Sequence, residues 1–453
     1  MKIVLVNPPS EKIVEAFDHP KYPQISIGYL ASFLESKNIR CKVIDAKLER
    51  LNADETVSKC ASFDLVGFTA LTHEITFCAK LAELIKKISP KTKIVIGGAH
   101  ATALPKETME SFEQFDFLVY GEGEQTLYEL TIALENNISI GEIKGLVYRK
   151  DGIVINKPRL MEQDLDTLPP PAWHLFPKAA EYPILTARGC PFNCIFCMRA
   201  HGQKVRLRSV ENVLEELKLL IDKYDAKYVR IYDETFTLFK ERTKQICDGI
   251  INLGIHKKIV WDAETRVDCI DFETLQKMKL AGCVLIRLGI EAGNPKILKA
   301  SKKGITLDEA EQAVKWAKKA KLRTQSLFIL GHPNETKETM KETVNFAVKL
   351  NTSLVSFGIM TPYPGTEVYE IAKRGEGGYN VLSSDWKDYN KQMGNALELK
   401  SVSRGEVESI QFWGYMKFYF YNFKIKEIIE NIIENRGLAF AIMQKIFNRK
   451  IQK

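Results

Sequence analysis

Short apolar runs separated by amphipathic stretches recur through the first 375 residues of this 453-residue chain, interrupted once by three successive prolines. In residues 1–135 the runs are Ile3–Val6, Cys41–Ile44, Leu65–Phe68, Ile94–Ile96 and Phe117–Tyr120. Ile75–Ile88 carries apolar side chains at helical spacing between two of them. Alternation at this interval predicts a doubly wound α/β sheet, parallel and covered by helices on both faces. Gly97-Gly98 and Gly121-Glu122-Gly123-Glu124 end two of the strands. Glycine there allows tight turns and close approach of a ligand to the backbone. Sheets of this kind bind ligands in the crevice outside the strand carboxyl ends.

Leu146–Tyr148 and Ile153–Ile155 flank Asp151-Gly152, a hairpin signal. Leu168-Pro169-Pro170-Pro171-Ala172-Trp173 lacks three successive amide donors and cannot continue a helix or a central strand. A domain boundary belongs there. Beyond it the alternation resumes, with strands expected at Ile184–Thr186, Tyr228–Tyr232, Ile259–Asp262, Val284–Gly289, Ser326–Leu330 and Val355–Met360. Six strand–helix units predict a partial (β/α)6 barrel. The expected organisation is a Rossmann-like domain over 1–140, a hairpin and Pro-rich linker over 141–180, the barrel over 181–375, and a mainly helical region over 376–453. In that last region Trp413, Tyr415, Phe418, Tyr419, Phe420, Tyr421 and Phe423 are too aromatic all round for a solvated helix, so core packing as a cap on the barrel is expected.

Composition excludes several classes. Apolar residues at 45% and charged residues at 27% are ordinary for a globular protein. No apolar run reaches the ~18 residues of a membrane span, and the apolar start at Ile3–Val6 is too short for a secretory signal. The net charge of +8 comes from lysines spread along helical faces, which reads as a solvated surface rather than a nucleic-acid face. Nine cysteines form no even disulfide framework. Cys41, Cys60, Cys78, Cys247, Cys269 and Cys283 sit among apolar neighbours as small buried hydrophobes. A reducing cytoplasm is the expected compartment.

The other three cysteines stand apart. Cys190, Cys194 and Cys197 have C-x3-C-x2-C spacing directly after the strand pattern Pro183–Arg188. Three thiolates can hold an iron–sulfur cluster and leave one iron open for chemistry. A structural zinc is the rival reading, with His201 completing a Cys3His set. Carboxyl ends of barrel strands are where catalytic groups sit. The spacing resembles the signature of the radical SAM superfamily, whose open iron chelates S-adenosylmethionine. The resemblance extends along the barrel. It implies that Asp233 or Glu234, after the second strand, receives the amino group of the methionine moiety. It places Glu264 and Arg266 at the barrel mouth as cofactor contacts, Arg266 alternatively pairing with an acidic neighbour to brace the barrel. Glu291 is the candidate for ribose contact, and Leu330 with Gly331 resembles the glycine-containing adenine platform. His332 has no partner at ligand spacing. Tyr363 either lines the pocket or packs beside it.

The amino-terminal segment then resembles the cobalamin-binding domains that accompany some radical SAM barrels. Thr69-Ala70-Leu71 is similar to their Ser-x-Leu element, and Gly97-Gly98 to the glycine pair beside which the cofactor's nucleotide tail slots. Gly121 and Glu122 belong to a Gly-Glu-Gly-Glu segment that recurs at this position, as does the Leu168–Trp173 linker. Thr69, Leu71, Gly97, Gly98, Gly121 and Glu122 are therefore the cobalamin candidates. Asp-x-His-x-x-Gly, which supplies a lower cobalt ligand in many cobalamin domains, is absent: His19, His73 and His100 all lie outside that pattern. The resemblance implies cobalamin bound without a histidine ligand.

The implied cofactors are a [4Fe–4S] cluster, S-adenosylmethionine and cobalamin. The implied activity is methylation of an unactivated carbon or phosphorus through a 5′-deoxyadenosyl radical and methylcobalamin. The alternatives are a non-methylating reaction, such as oxidative ring cyclisation, and a non-catalytic cobalamin- or redox-responsive module. Expected partners are a small-molecule substrate and a reductant such as flavodoxin or ferredoxin. One pocket is expected to join the Thr69 and Gly98 region to Asp233–Phe236, Glu264–Arg266, Glu291 and Tyr363, flanked by the aromatic carboxy-terminal segment.

Overall fold

The computed structural model describes residues 1–10, 20–391 and 394–424. Two main sheets organise it. The first has seven strands: β1 (Ile3–Asn7), β2 (Cys41–Asp45), β3 (Leu65–Thr69), β4 (Lys93–Gly97), β5 (Phe117–Val119), β6 (Leu146–Arg149) and β7 (Ile153–Ile155). Their order is β2-β1-β3-β4-β5-β6-β7, with β1 to β5 parallel. Successive side chains alternate between two cores. Leu5, Leu65, Val95 and Val119 pack with the helices Ile25–Ser36 and Glu124–Asn136. Val4, Val6, Val66 and Phe68 pack with Ala53–Cys60 and Ile75–Ile88. Burial on both faces is why these strands read as continuous apolar runs.

The Asp151-Gly152 hairpin forms as expected, but it is part of this sheet rather than of a linker. Its first strand, β6, pairs antiparallel with β5. The unpaired edge of the short β5 recruits it, and Leu146, Val147 and Tyr148 are all buried there.

The proline segment then locks the two sheets together. Ala172, Trp173 and Phe176 share a core with Ile27 of the first unit and Tyr182 of the second. Gly28 is required at this contact, since a Cβ there would lie 2.8 Å from Pro171 Cβ and 3.0 Å from the Trp173 ring.

The second sheet is the half-barrel. It contains β8 (Glu181–Ile184), β11 (Tyr228–Ile231), β12 (Val260–Arg266), β13 (Cys283–Glu291), β14 (Arg323–Leu330) and β15 (Leu354–Ile359). All six are parallel and lie in sequence order, leaving β8 and β15 as open edges. Between β8 and β11, the two-residue strands β9 (Ala187–Arg188) and β10 (Arg206–Leu207) pair antiparallel and close the base of the cysteine loop. The first barrel strand ends at Ile184, earlier than the Thr186 expected from sequence. Asp233 is the cause: its carboxylate accepts the Thr186 and Ala187 amides and draws the chain out of the ladder.

The aromatic helix Arg404–Tyr421 packs into the barrel core along the open edge of β15, as expected, but none of its residues lines the cavity between the two sheets, and 425–453 lie outside the described residues. Gln411 Nε2 donates to the Phe357 carbonyl at 2.6 Å, and Tyr415 OH accepts the Phe357 amide at 2.9 Å. Two side chains thus satisfy backbone groups that an edge strand leaves unpaired. Phe418 and Tyr419 are buried, whereas Trp413, Phe420, Tyr421 and Phe423 are exposed. Upstream, a small hairpin of β16 (Tyr379–Val381) and β17 (Leu397–Leu399) encloses a segment that returns to the first sheet, where Trp386 packs edge-on against His100 at 4.9 Å. No described helix is long and apolar enough to cross a membrane.

Candidate active site between the two sheets

A cavity of about 290 Å³ opens at the carboxyl ends of β3, β4 and β5. All six cobalamin candidates, Thr69, Leu71, Gly97, Gly98, Gly121 and Glu122, line it. Parallel register sets Thr69 beside Gly97. Gly98 has φ +96°, and a Cβ there would meet Ala70 N and O at 2.7 Å, so both the turn and the close approach require glycine. Gly67 also lines the cavity. A Cβ on it would lie 2.9 Å from Leu5 Cδ2 and 3.4 Å from Val95 Cγ1, filling the groove. Sequence reasoning missed Gly67, although a glycine inside an apolar strand is itself a sign of close approach.

The barrel supplies the opposite wall through Leu185, Arg188, Ala200 and His201. None of Asp233–Phe236, Glu264–Arg266, Glu291 and Tyr363 lines this cavity, and Asp233, Glu234, Thr235 and Phe236 line a separate small one. The expected single pocket is therefore not formed, and His201, which lines the first cavity, makes the link to the acidic loop. Its Nδ1 lies 2.8 Å from Glu234 Oε1.

The acidic pair divides. Asp233 is buried, and its Oδ1 accepts the Thr186 amide at 2.6 Å and the Ala187 amide at 3.1 Å while Oδ2 accepts the Thr186 hydroxyl at 2.5 Å. Burial pushes its pKa up to about 6 despite those bonds. Both of its oxygens are engaged with the chain at the end of the first barrel strand. Glu234 keeps a partly exposed carboxylate. Burial raises its pKa, but the hydrogen bond and charge of His201 outweigh that and hold it below the usual carboxylate range.

Cys190 is half-buried, Cys194 buried and Cys197 exposed. Burial raises the Cys194 thiol, and the Lys303 and Arg266 cations oppose that rise. Arg266 Nη1 stands 3.8 Å from Cys194 Sγ, and the guanidinium lies 3.6 Å over the Phe192 ring. It also pairs with Asp268 at 2.9 and 3.0 Å, so it both braces the barrel and faces the cysteine loop. Lys303, which sequence reasoning missed because it lies beyond the strand end, pairs with Glu291 at 2.9 Å while both are buried. Glu291 holds φ +74°, a strained setting for a non-glycine residue. Gly289 makes room for this pair: a Cβ there would lie 2.7 Å from Glu291 Oε1 and 2.8 Å from Lys303 Nζ.

Among the described residues no three His, Cys, Asp or Glu side chains converge as they would on a single metal ion, the Cys3His set included. His201 is turned to Glu234 instead. Three cluster thiolates each take a different iron, so they need only surround a common volume; Cys194 feels the charge of Cys190, and Cys197 those of Cys194 and Cys190.

The remaining candidates hold the following places. Glu264 is exposed and stands in register with Arg287, which pairs bidentately with Asp262 at 2.6 and 2.8 Å. Leu330 is fully buried. Gly331 donates its amide to Glu335 Oε2 at 2.7 Å, and its carbonyl accepts Tyr379 OH at 2.9 Å. The Gly331 amide and carbonyl are thus both engaged within the chain. His332 is fully buried, edge-on to Phe196 of the cysteine loop at 5.9 Å. Tyr363 packs, its hydroxyl accepting the Lys391 amide at 3.2 Å. His73 and His100 do not line the cavity, and His19 lies outside the described residues.

The radical SAM superfamily matches residues 184–347 and the B12 binding domain matches residues 14–131. The chain is 35% identical to an uncharacterized methyltransferase, PH0819, of Pyrococcus horikoshii, over 96% of each chain. It is 26% identical to the anaerobic magnesium-protoporphyrin IX monomethyl ester cyclase of Rubrivivax gelatinosus, over 89% of this chain and 77% of that one. Its fold matches the radical S-adenosylmethionine methyltransferase TsrM of Kitasatospora setae, solved with cobalamin and a [4Fe–4S] cluster bound, with a TM-score of 0.72 at 18% identity, over 93% of this chain and 88% of that one. On these matches the chain belongs to the radical SAM superfamily as one of its cobalamin-binding enzymes.

Proposed function

We propose that the protein methylates an unactivated carbon or phosphorus centre of a small molecule. The observation that carries this reading is the shared cavity, in which Thr69 and Gly98 face Arg188 and His201 across the two sheets. When bound, the cofactors supply one-electron cleavage of S-adenosylmethionine and a methyl carrier, the hard chemistry that the protein orients.

The residues fit these groups. The grooves at Gly67 and Gly98, which any larger side chain would fill, suit the cofactor tail, with the Thr69 hydroxyl at its edge. Cys190, Cys194 and Cys197 hold the cluster, and the neighbouring Arg266 and Lys303 offset thiolate charge. Glu234 takes the methionine amino group by a charge-assisted hydrogen bond, with His201 fixing its carboxylate. Glu291, held by Lys303, is the ribose contact, and Leu330 with Gly331 shapes the base site. Enclosure between two sheets keeps water from reactive species. Nine free thiols suit a reducing cytoplasm, where a flavodoxin or ferredoxin serves as electron donor.

The likeness to the Rubrivivax cyclase favours a second reading, oxidative ring cyclisation. Anaerobic incubation of the reconstituted protein with reductant, methyl-labelled S-adenosylmethionine and cell extract separates the two. A metabolite that gains the labelled methyl supports methylation; a product oxidised without gaining carbon supports cyclisation. Absence of S-adenosylmethionine cleavage overturns both.

A further inference from the structure

Four buried charged side chains tie the cobalamin cleft to the cysteine loop. Arg188, two residues before Cys190, donates from Nη1 to Glu122 Oε1 at 3.0 Å and from Nη2 to Glu124 Oε1 at 2.8 Å. Arg206, at the far end of the same loop, holds both Glu122 oxygens at 2.9 Å. Side-chain exposure is 5% for Arg188, 2% for Arg206, 9% for Glu122 and 11% for Glu124. Burial raises the Glu122 carboxyl, but Arg206 and Arg188 outweigh it and keep it below its ordinary value.

The network reaches further on both sides. Glu122, Glu124 and Arg188 line the cavity together with Gly121 and Gly123. Arg206 Nη2 donates to the His201 carbonyl at 3.1 Å, and the Cys190 amide donates to the Gly202 carbonyl at 3.1 Å. His201 in turn holds Glu234. Two forked guanidiniums on two carboxylates fix direction as well as distance, which a lysine cannot do. Buried ion pairs offer little net stability against apolar replacements, so the arrangement is better explained by registration than by holding the fold together.

We infer that Arg188 is a positioning residue that keeps the cobalamin cleft and the cysteine loop in one register, so that radical formation and methyl delivery are coupled. The inference rests on the functional reading above. Its test uses full-length, anaerobically reconstituted Arg188→Lys and Glu124→Gln, with Glu129→Gln as control. Glu129 pairs with Arg159 on the same helix as Glu124, away from the cysteine loop. Circular dichroism establishes folding, and Glu124→Gln serves should Arg188→Lys fail to fold.

The expected result is iron content and S-adenosylmethionine cleavage near wild type, cobalamin affinity about tenfold weaker, and at least several-fold less methylated product per 5′-deoxyadenosine. The control should match wild type in all four. Wild-type cobalamin affinity and coupling ratio in a folded Glu124→Gln overturn the inference. So does a loss of product in strict proportion to 5′-deoxyadenosine at unchanged cobalamin affinity, because that is a general loss of activity. A wild type that fails to cleave S-adenosylmethionine overturns the functional reading instead; cobalamin affinity of the variants then still decides whether the clamp shapes the cleft.

Discussion

Asp233 and Thr186 are joined twice, carboxylate to amide and carboxylate to hydroxyl, at 2.6 and 2.5 Å. This contact ends the first barrel strand and turns the chain toward Cys190. It also separates Asp233, whose carboxylate is engaged with the chain, from its neighbour Glu234, whose carboxylate meets His201.

Asp233 gives the cluster-free protein a pH-dependent stability. Its folded pKa of about 6 lies above its ordinary value of 3.8, so between those values the native state binds more protons than the unfolded chain. The sign follows: this contribution is complete below pH 3.8 and is lost as pH rises through 6, up to about 3 kcal/mol in all. Thermal melts of wild type and Asp233→Asn from pH 4 to 7 should diverge in that sense, the variant lacking this slope. Parallel profiles would show that Asp233 does not titrate in this window.

Glu234→Gln should weaken S-adenosylmethionine binding by roughly 10-fold or more while iron content stays the same, because one charge-assisted hydrogen bond becomes a neutral one. Glu264→Gln, at an exposed residue that has no contact with His201 and stands in register with Arg287, should change binding by less than about twofold. Equilibrium dialysis with labelled S-adenosylmethionine measures both. Equal losses in the two variants would move the amino-group contact away from Glu234.

Anaerobically prepared protein should contain about four irons and four sulfides, and alanine at Cys190, Cys194 and Cys197 together should abolish them. Stoichiometric zinc without iron would sink the cluster assignment. Lys303→Met removes a buried cation beside Cys194, so the cluster should become harder to reduce, its potential moving negative by on the order of 50 mV, about one decade for a one-electron couple. A redox titration followed by electron paramagnetic resonance measures this; an unchanged potential would leave Lys303 a purely structural partner of Glu291.

Gly67→Val should fill the groove between Leu5 and Val95. Overpacking costs about 1–3 kcal/mol of stability, whereas cobalamin affinity should fall by about tenfold or more, with the cluster retained. Since His73 and His100 do not line the cavity and His201, which does, is held to Glu234, the cob(II)alamin spectrum of the wild-type complex should show no axial-nitrogen splitting. A clear nitrogen triplet would assign a ligand after all.

Local pattern alone placed much of this. Strand cores from Ile3 to Val355 were legible because residues buried on both faces leave unbroken apolar runs. Gly97, Gly98 and Gly121 were legible because turns at strand ends favour glycine, Thr69, Leu71 and Glu122 through the resemblance to cobalamin-binding domains, and Cys190, Cys194 and Cys197 because ligand spacing is short-range. What the tertiary structure decided depends on partners distant in sequence. Spacing could not distinguish Asp233 from Glu234, since the distinction is made by Thr186, 47 residues away. It could not place the hairpin strand Leu146–Arg149, whose partner is the edge of Phe117–Val119, nor the aromatic helix, whose Tyr415 finds Phe357 across 58 residues. The partners of Glu122 were hidden for the same reason, since Arg188 and Arg206 reach it from the two short strands that close the cysteine loop. Periodicity records whether a residue is buried, but long-range pairing decides against what, and a buried charge takes its function from its partner.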